Sequence, residues 1–206
     1  MPKGAKGQIR NHSTRFSLNL TPWDWLKKAR TLRRAFNHLF IQFEGDKLSF
    51  DETFERNPSF DLQSPDDTVL MMILAFAIEN LLKGLYVSTL KHVKRPNTLK
   101  ELGLSQHKLV IIADKVGTDI GENFSENEVT LLAGLEQLIL WRGRYPSPVD
   151  AEKAMAAFFA PSFRHPEYHF DACKLYDRLE SLLTPRAPFS VQNKLFGKTY
   201  VGQIPE

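Results

Sequence analysis

Cysteine is almost missing from this chain: Cys173 stands alone among 206 residues. A single thiol excludes an intrachain disulfide framework and any cysteine-built metal site. It fits a reducing, cytoplasmic setting. The first 20 residues hold Lys3, Lys6, Arg10 and Arg15 but no acid and no apolar core, so no secretory signal is expected. An apolar run long enough to cross a bilayer, about 20 residues, is also lacking. The longest, 69–78, meets Glu79 and then Lys83, and it reads as a buried helix with no membrane role. No Walker loop, dinucleotide glycine fingerprint, His-Glu-x-x-His or Gly-x-Ser-x-Gly occurs. Of six histidines only His165 and His169 have metal-ligand spacing, and Pro166 interrupts them. Neither metal nor cofactor is expected. Period-two strand patterning of useful length and internal repeats are lacking as well.

What remains is apolar and helical. Hydrophobic residues make up 42% of the chain and Phe occurs 15 times, which is enough for one domain's core. The net charge of +3 is unevenly spread: residues 1–34 carry nine Lys/Arg and one acid, Asp24. Such a segment contacts phosphate or forms a basic tail followed by a solvated helix face.

Residues 1–20 read as a basic flexible arm. A helix opens at Thr21-Pro22 and keeps its apolar spacing through Leu26, Ala29, Phe36, Leu39, Phe40 and Phe43. Residues 44–63 read as a loop rich in acids and aromatics. Ser64 and Asp67 have capping-box spacing before the central helix, which the pattern carries to about residue 94, ahead of Pro96. A third helix is predicted over 107–116, closed by Gly117. Ser125 and Glu128 form a second capping box before Val129, Leu132, Leu135, Leu138 and Ile139. That helix ends in Trp141-Arg142-Gly143-Arg144-Tyr145-Pro146, a short helix follows over 150–159, and the last starts at Pro166. Its stripe is Phe170, Cys173, Leu175, Leu179 and Leu182. The expectation is an all-α, antiparallel bundle of five to six helices over 21–183, with an irregular extension over 184–206.

A core helix reading AFAIENLLKGLYV, a following Gln106-His107-Lys108-Leu109, a capped SENEVTLLAGLEQL and an ending in GRYP together resemble HEPN proteins. These are the higher eukaryote and prokaryote nucleotide-binding helical domains. The resemblance covers roughly residues 65–183 and rests on the order of elements and on Glu79-x-x-x-Lys83. It implies a helical bundle acting as a homodimer, with RNA or a nucleotide as ligand, or an antitoxin or other protein as partner. Many members are metal-independent endoribonucleases of bacterial defence or toxin–antitoxin systems. Others are non-catalytic binding modules.

The ribonuclease branch is marked by Arg, four to six residues, then His. Arg164-His165-Pro166-Glu167-Tyr168-His169 fits, and so does Arg33 to His38. The resemblance makes Arg164 and His169 a catalytic pair. Imidazole exchanges protons near neutral pH, and a guanidinium stabilises negative charge growing on a scissile phosphate. The alternative is a solvated, aromatic-rich helix start. Arg142, Arg144 and Tyr145 form a second candidate: two guanidiniums for an anion and a ring for a base. There the alternative is a bundle plug with its arginines in water. Glu79 and Lys83 read as a pocket-facing pair, Lys83 for phosphate and Glu79 to orient it or a neighbouring histidine, or else as a structural pair. His107 reads as a helix cap or, less favoured, a base.

Overall fold

The computed structural model describes residues 21–56, 67–90, 102–104, 107–142, 166–187, 189–193 and 198–202. Among the described residues five α-helices form the body: α1 (Pro22–Arg56), α2 (Thr68–Thr89), α3 (Leu109–Ile120), α4 (Glu126–Gln137) and α5 (Pro166–Leu183). The fold is an all-α bundle. The basic arm and the helix expected over 150–159 lie outside the described residues.

Thr21 starts α1 in a reciprocal cap. Its Oγ1 donates to Asp24 Oδ2 at 2.8 Å and accepts from the Asp24 backbone N–H at 3.4 Å. Leu26, Ala29 and Phe36 face inward. The helix does not stop near Phe43, as expected, but continues to Arg56. No proline interrupts 44–56, and Phe50 and Phe54 stack at 6.0 Å as one-turn neighbours. Residues 44–56 of the predicted loop are helix, their apolar spacing thinned and not ended, and 57–63 lie outside the described residues.

Helix α2 is the central element, with twelve buried residues from Leu70 to Leu85. By length and composition it could cross a bilayer, but 67% of its most apolar window is buried inside the bundle. Gly84 lets its neighbours approach. A Cβ there would lie 2.6 Å from Leu183 Cδ2 and 2.9 Å from Trp25 Cβ, so the contact of α2 with α1 and α5 requires glycine. The helix ends at Thr89 rather than near residue 94. Ser88 and Thr89 turn their hydroxyls onto the backbone carbonyls of Leu85 and Tyr86, and Leu90 is extended.

Helix α3 starts and ends later than expected. Gly121, at φ +71°, closes it, while Gly117 lies inside, where a Cβ would meet the Glu122 carbonyl at 2.7 Å. The Ser125/Glu128 capping box forms as predicted. After α4 the chain widens into a π-helical turn, Leu138–Arg142, with Leu138 and Ile139 buried. Val129, expected inside, is exposed, and Leu131 packs instead. In α5 the buried residues among those described are His169, Ala172, Leu175, Tyr176, Leu179 and Leu183. Phe170 points outward, beneath Lys174 Nζ at 4.0 Å.

Arginines bind α5 to its neighbours. Arg30 pairs with Glu180, and Arg33 donates to Cys173 Sγ at 2.7 Å while stacking on Phe36 and Tyr176. Arg178 donates to Glu128 at 2.6 Å, to Glu122 at 3.0 Å and to the Asn123 carbonyl at 3.0 Å. Burial alone would raise the Glu128 carboxyl, but hydrogen bonds from Arg178 and Ser125 outweigh it and hold the group below its ordinary range. Beyond α5, the extension expected to be irregular contains an antiparallel hairpin. Phe189–Asn193 pairs with Lys198–Gly202, Val191 opposite Tyr200. Val191, Thr199, Tyr200 and Val201 favour extended backbone, but five-residue strands are too short to read as a period.

Candidate functional site

Two carboxylate–histidine arrangements sit on α2. The first follows from the charges in its apolar sequence. Glu79 and Lys83 are one turn apart, and Lys83 Nζ lies 2.6 Å from Glu79 Oε1, their side chains only 8% and 3% exposed. An ion pair that deep survives only if its remaining hydrogen-bonding capacity is met. His107 meets it. Its Nδ1 lies 2.9 Å and 3.1 Å from the two Glu79 oxygens. Phe76 supports the imidazole edge-on at 5.9 Å, and Lys83 Nζ lies 5.8 Å from the centroid of Trp25.

This geometry gives the three groups distinct roles. A carboxylate can only accept, so Glu79 favours the proton on Nδ1 and leaves Nε2 as the ring nitrogen open to a ligand. Lys83 neutralises the carboxylate from behind. The His107 side chain is 35% exposed, and Nε2 has no hydrogen-bond partner among the described residues. His107 thus faces outward from a buried, charge-balanced mount. Exposed Lys108 adjoins it at the start of α3. The N-terminus of α3 carries no side-chain cap, so its first backbone N–H groups stand free of one.

The second arrangement joins distant parts of the sequence. His169 Nε2 lies 2.9 Å from Asp67 Oδ2, with both side chains buried. The two atoms are within ion-pair distance but not in hydrogen-bonding geometry, and neither has a hydrogen-bond partner among the described residues. Phe40 and Phe43 meet the ring edge-on at 5.5 Å and 6.0 Å. Asp67 is the N-cap residue of α2 but makes no side-chain cap bond, contrary to its expected part in a capping box. It ties α5 to α2 instead. Ser64, the other half of that box, lies outside the described residues.

Asp67 and Glu79 are twelve residues apart, roughly 18 Å along the helix. The histidines they hold therefore belong to different regions of the molecule. No protein-family model, curated protein or solved structure matches this chain. What the two regions do is argued from their chemistry.

The structure brings together Glu79, Lys83 and His107 among the residues considered from sequence. Lys83 is committed to Glu79 and Trp25 rather than turned outward. His169 is committed to Asp67 inside an aromatic wall, and Arg164 lies outside the described residues. Arg142 ends the π-helical turn, its side chain undescribed, while Arg144 and Tyr145 lie outside the described residues. No group of three or more His, Cys, Asp or Glu side chains among the described residues has a metal-holding arrangement. Sequence reasoning missed Asp67–His169 altogether, because nothing in a separation of 102 residues signals a contact. The one local hint was an acid ahead of an apolar helix, which a capping box explains equally well.

Proposed function

We propose that this chain is a HEPN-like helical protein that binds RNA and cleaves it without a metal ion, with His107 as its proton acceptor. The observation that carries the reading is the buried Glu79 carboxylate holding Nδ1 of a partly exposed imidazole. A carboxylate–histidine pair of this kind fixes the tautomer and orientation of a general base. His107 Nε2 takes the proton of a ribose 2′-hydroxyl, and the 2′-oxygen attacks the adjacent phosphorus. The bond from phosphorus to the 5′-oxygen breaks, and the leaving oxygen takes a proton from solvent. The products are a 2′,3′-cyclic phosphate and a 5′-hydroxyl. Lys108 meets the phosphate beside the uncapped start of α3. From the sequence alone, Arg142, Arg144 and Arg164 are candidate cations for a phosphate and Tyr145 a candidate ring for a base; their side chains lie outside the described residues. A bacterial defence or toxin–antitoxin role suits such an activity.

The test incubates purified protein with total RNA in EDTA, beside His107→Ala and Arg164→Ala/His169→Ala. Wild type is expected to cleave, and His107→Ala to lose about 100-fold or more of the rate. Cleavage retained by His107→Ala but lost in the double variant would move the chemistry to Arg164 and His169. The second reading is a non-catalytic module for a nucleotide or protein partner. Asp67–His169 favours it, since the marked histidine of the ribonuclease pattern is used inside the bundle. RNA left intact by the wild type, while still bound, would select that reading.

A further inference from the structure

Between α3, the turn after it and the start of α4 lies an open cavity of about 490 Å³. Val110, Ala113 and Phe124 give it an apolar lining. Each wall presents the same pair of residues three positions apart, one apolar and one acidic: Ile111 with Asp114 on α3, and Glu126 with Val129 on α4. Ile111 and Val129 line the cavity yet remain 51% and 38% exposed. The Asp114 and Glu126 carboxylates have no partner among the described residues, whereas Glu122 and Glu128 are already held by Arg178. Residues 110–137 hold six acids and one basic residue, Lys115, in a chain of net charge +3. Lys115 is turned away to Tyr86 of α2. Such a groove repels phosphate and asks for an occupant that is both apolar and basic.

The chain itself carries that occupant. Residues 1–20, outside the described residues, hold Lys3, Lys6, Arg10 and Arg15 and no acid. Two of these cations stand next to an apolar residue, in Ile9-Arg10 and Arg15-Phe16. The basic stretch 91–100 has no Phe, Tyr or Trp to offer. The point of attachment fits as well. Trp25 packs at Gly84, and Phe40 meets His169, which pairs with Asp67 at the start of α2. Helix α1 therefore runs antiparallel to α2, and Thr21, one turn before Trp25, stands near the end of α2. That same end is joined to α3 by Thr89 Oγ1, which donates to Asp119 Oδ2 at 3.1 Å, just before the chain turns at Gly121 toward α4. Twenty extended residues reach up to about 66 Å, ample for one end of the bundle.

We propose that residues 1–20 dock in the α3–α4 groove of their own chain. Ile9 and Phe16 cover Ile111 and Val129, while Arg10 and Arg15 meet Asp114 and Glu126. Attachment at Thr21 holds the segment at about millimolar effective concentration, so individually weak surface contacts suffice. The inference does not rest on the RNA reading.

The test is trypsin cleavage after Arg10 and Arg15, followed by mass spectrometry in the full chain and in a synthetic peptide of residues 1–20, the undocked reference. Cleavage tracks the open population, and the full chain is expected to be cut about tenfold or more slower than the peptide. Salt at about 1 M should narrow that gap. Asp114→Asn/Glu126→Gln and Ile111→Ser/Val129→Ser change exposed side chains only, and each should bring cleavage to within about threefold of the peptide. Far-UV circular dichroism verifies that both variants are folded. Cleavage as fast as in the peptide, protection left intact by either groove variant, or protection that grows with protein concentration would each overturn the proposal.

Discussion

At residue scale the chain makes an uncommon commitment: a Glu–Lys pair inside the most apolar helix. Removing one partner of such a pair leaves an uncompensated charge and costs about 3–5 kcal/mol, whereas replacing both with apolar residues is often near neutral. Glu79→Ala is therefore expected to lower unfolding stability by about that amount, and Glu79→Leu/Lys83→Met by less, as read by urea titration. The double variant should still lose RNA cleavage, because His107 no longer has its carboxylate. Gly84 is a second such position. Gly84→Ala drives a methyl group into Leu183 and Trp25 and should cost about 1–3 kcal/mol on the same assay.

Glu128 sets the acid response. Its folded pKa lies below the ordinary value of 4.5. The stability it contributes is therefore complete above 4.5 and is lost as pH falls through the lower folded value. Glu128→Gln should flatten the acid limb of the stability profile below pH 4.5 and leave its shape at neutral pH unchanged. The assay is thermal melting across pH 2–7.

Legibility from sequence is best judged at element scale. The α4 capping box, the start of α1 at Thr21-Pro22 and the start of α5 at Pro166 were all readable, because caps and prolines act locally on the backbone. Helix ends without such chemistry were misplaced. Helix α1 overran its expected end because nothing between Phe43 and Arg56 forbids helix, and α3 ran past Gly117 to Gly121. The candidate site was half legible. Glu79 and Lys83 share a face by spacing alone, and a role for Glu79 in orienting a histidine was foreseeable. That the histidine is His107, and that Asp67 takes His169 inward, depends on tertiary contacts that no local pattern encodes. Loss of the cap is the matching test: Ser125→Ala should cost about 1 kcal/mol, measured by chemical denaturation.

For the whole molecule, stability is graded along the helices. Helix α2 is enclosed by α1, α3 and α5, whereas residues 44–56 of α1 have no buried side chain. Hydrogen exchange should replace the amides of 44–56 first and those around Leu74–Leu82 last. Equal protection of both segments would mean that the distal half of α1 is covered.

One consequence follows from the lone thiol. Cys173 is partly buried in the seam between α1 and α5, held by Arg33, and burial raises its pKa despite that guanidinium. The wild-type chain therefore carries a built-in clock. Its rate of modification by a maleimide reports how often those two helices part, one site per molecule, with no label to engineer.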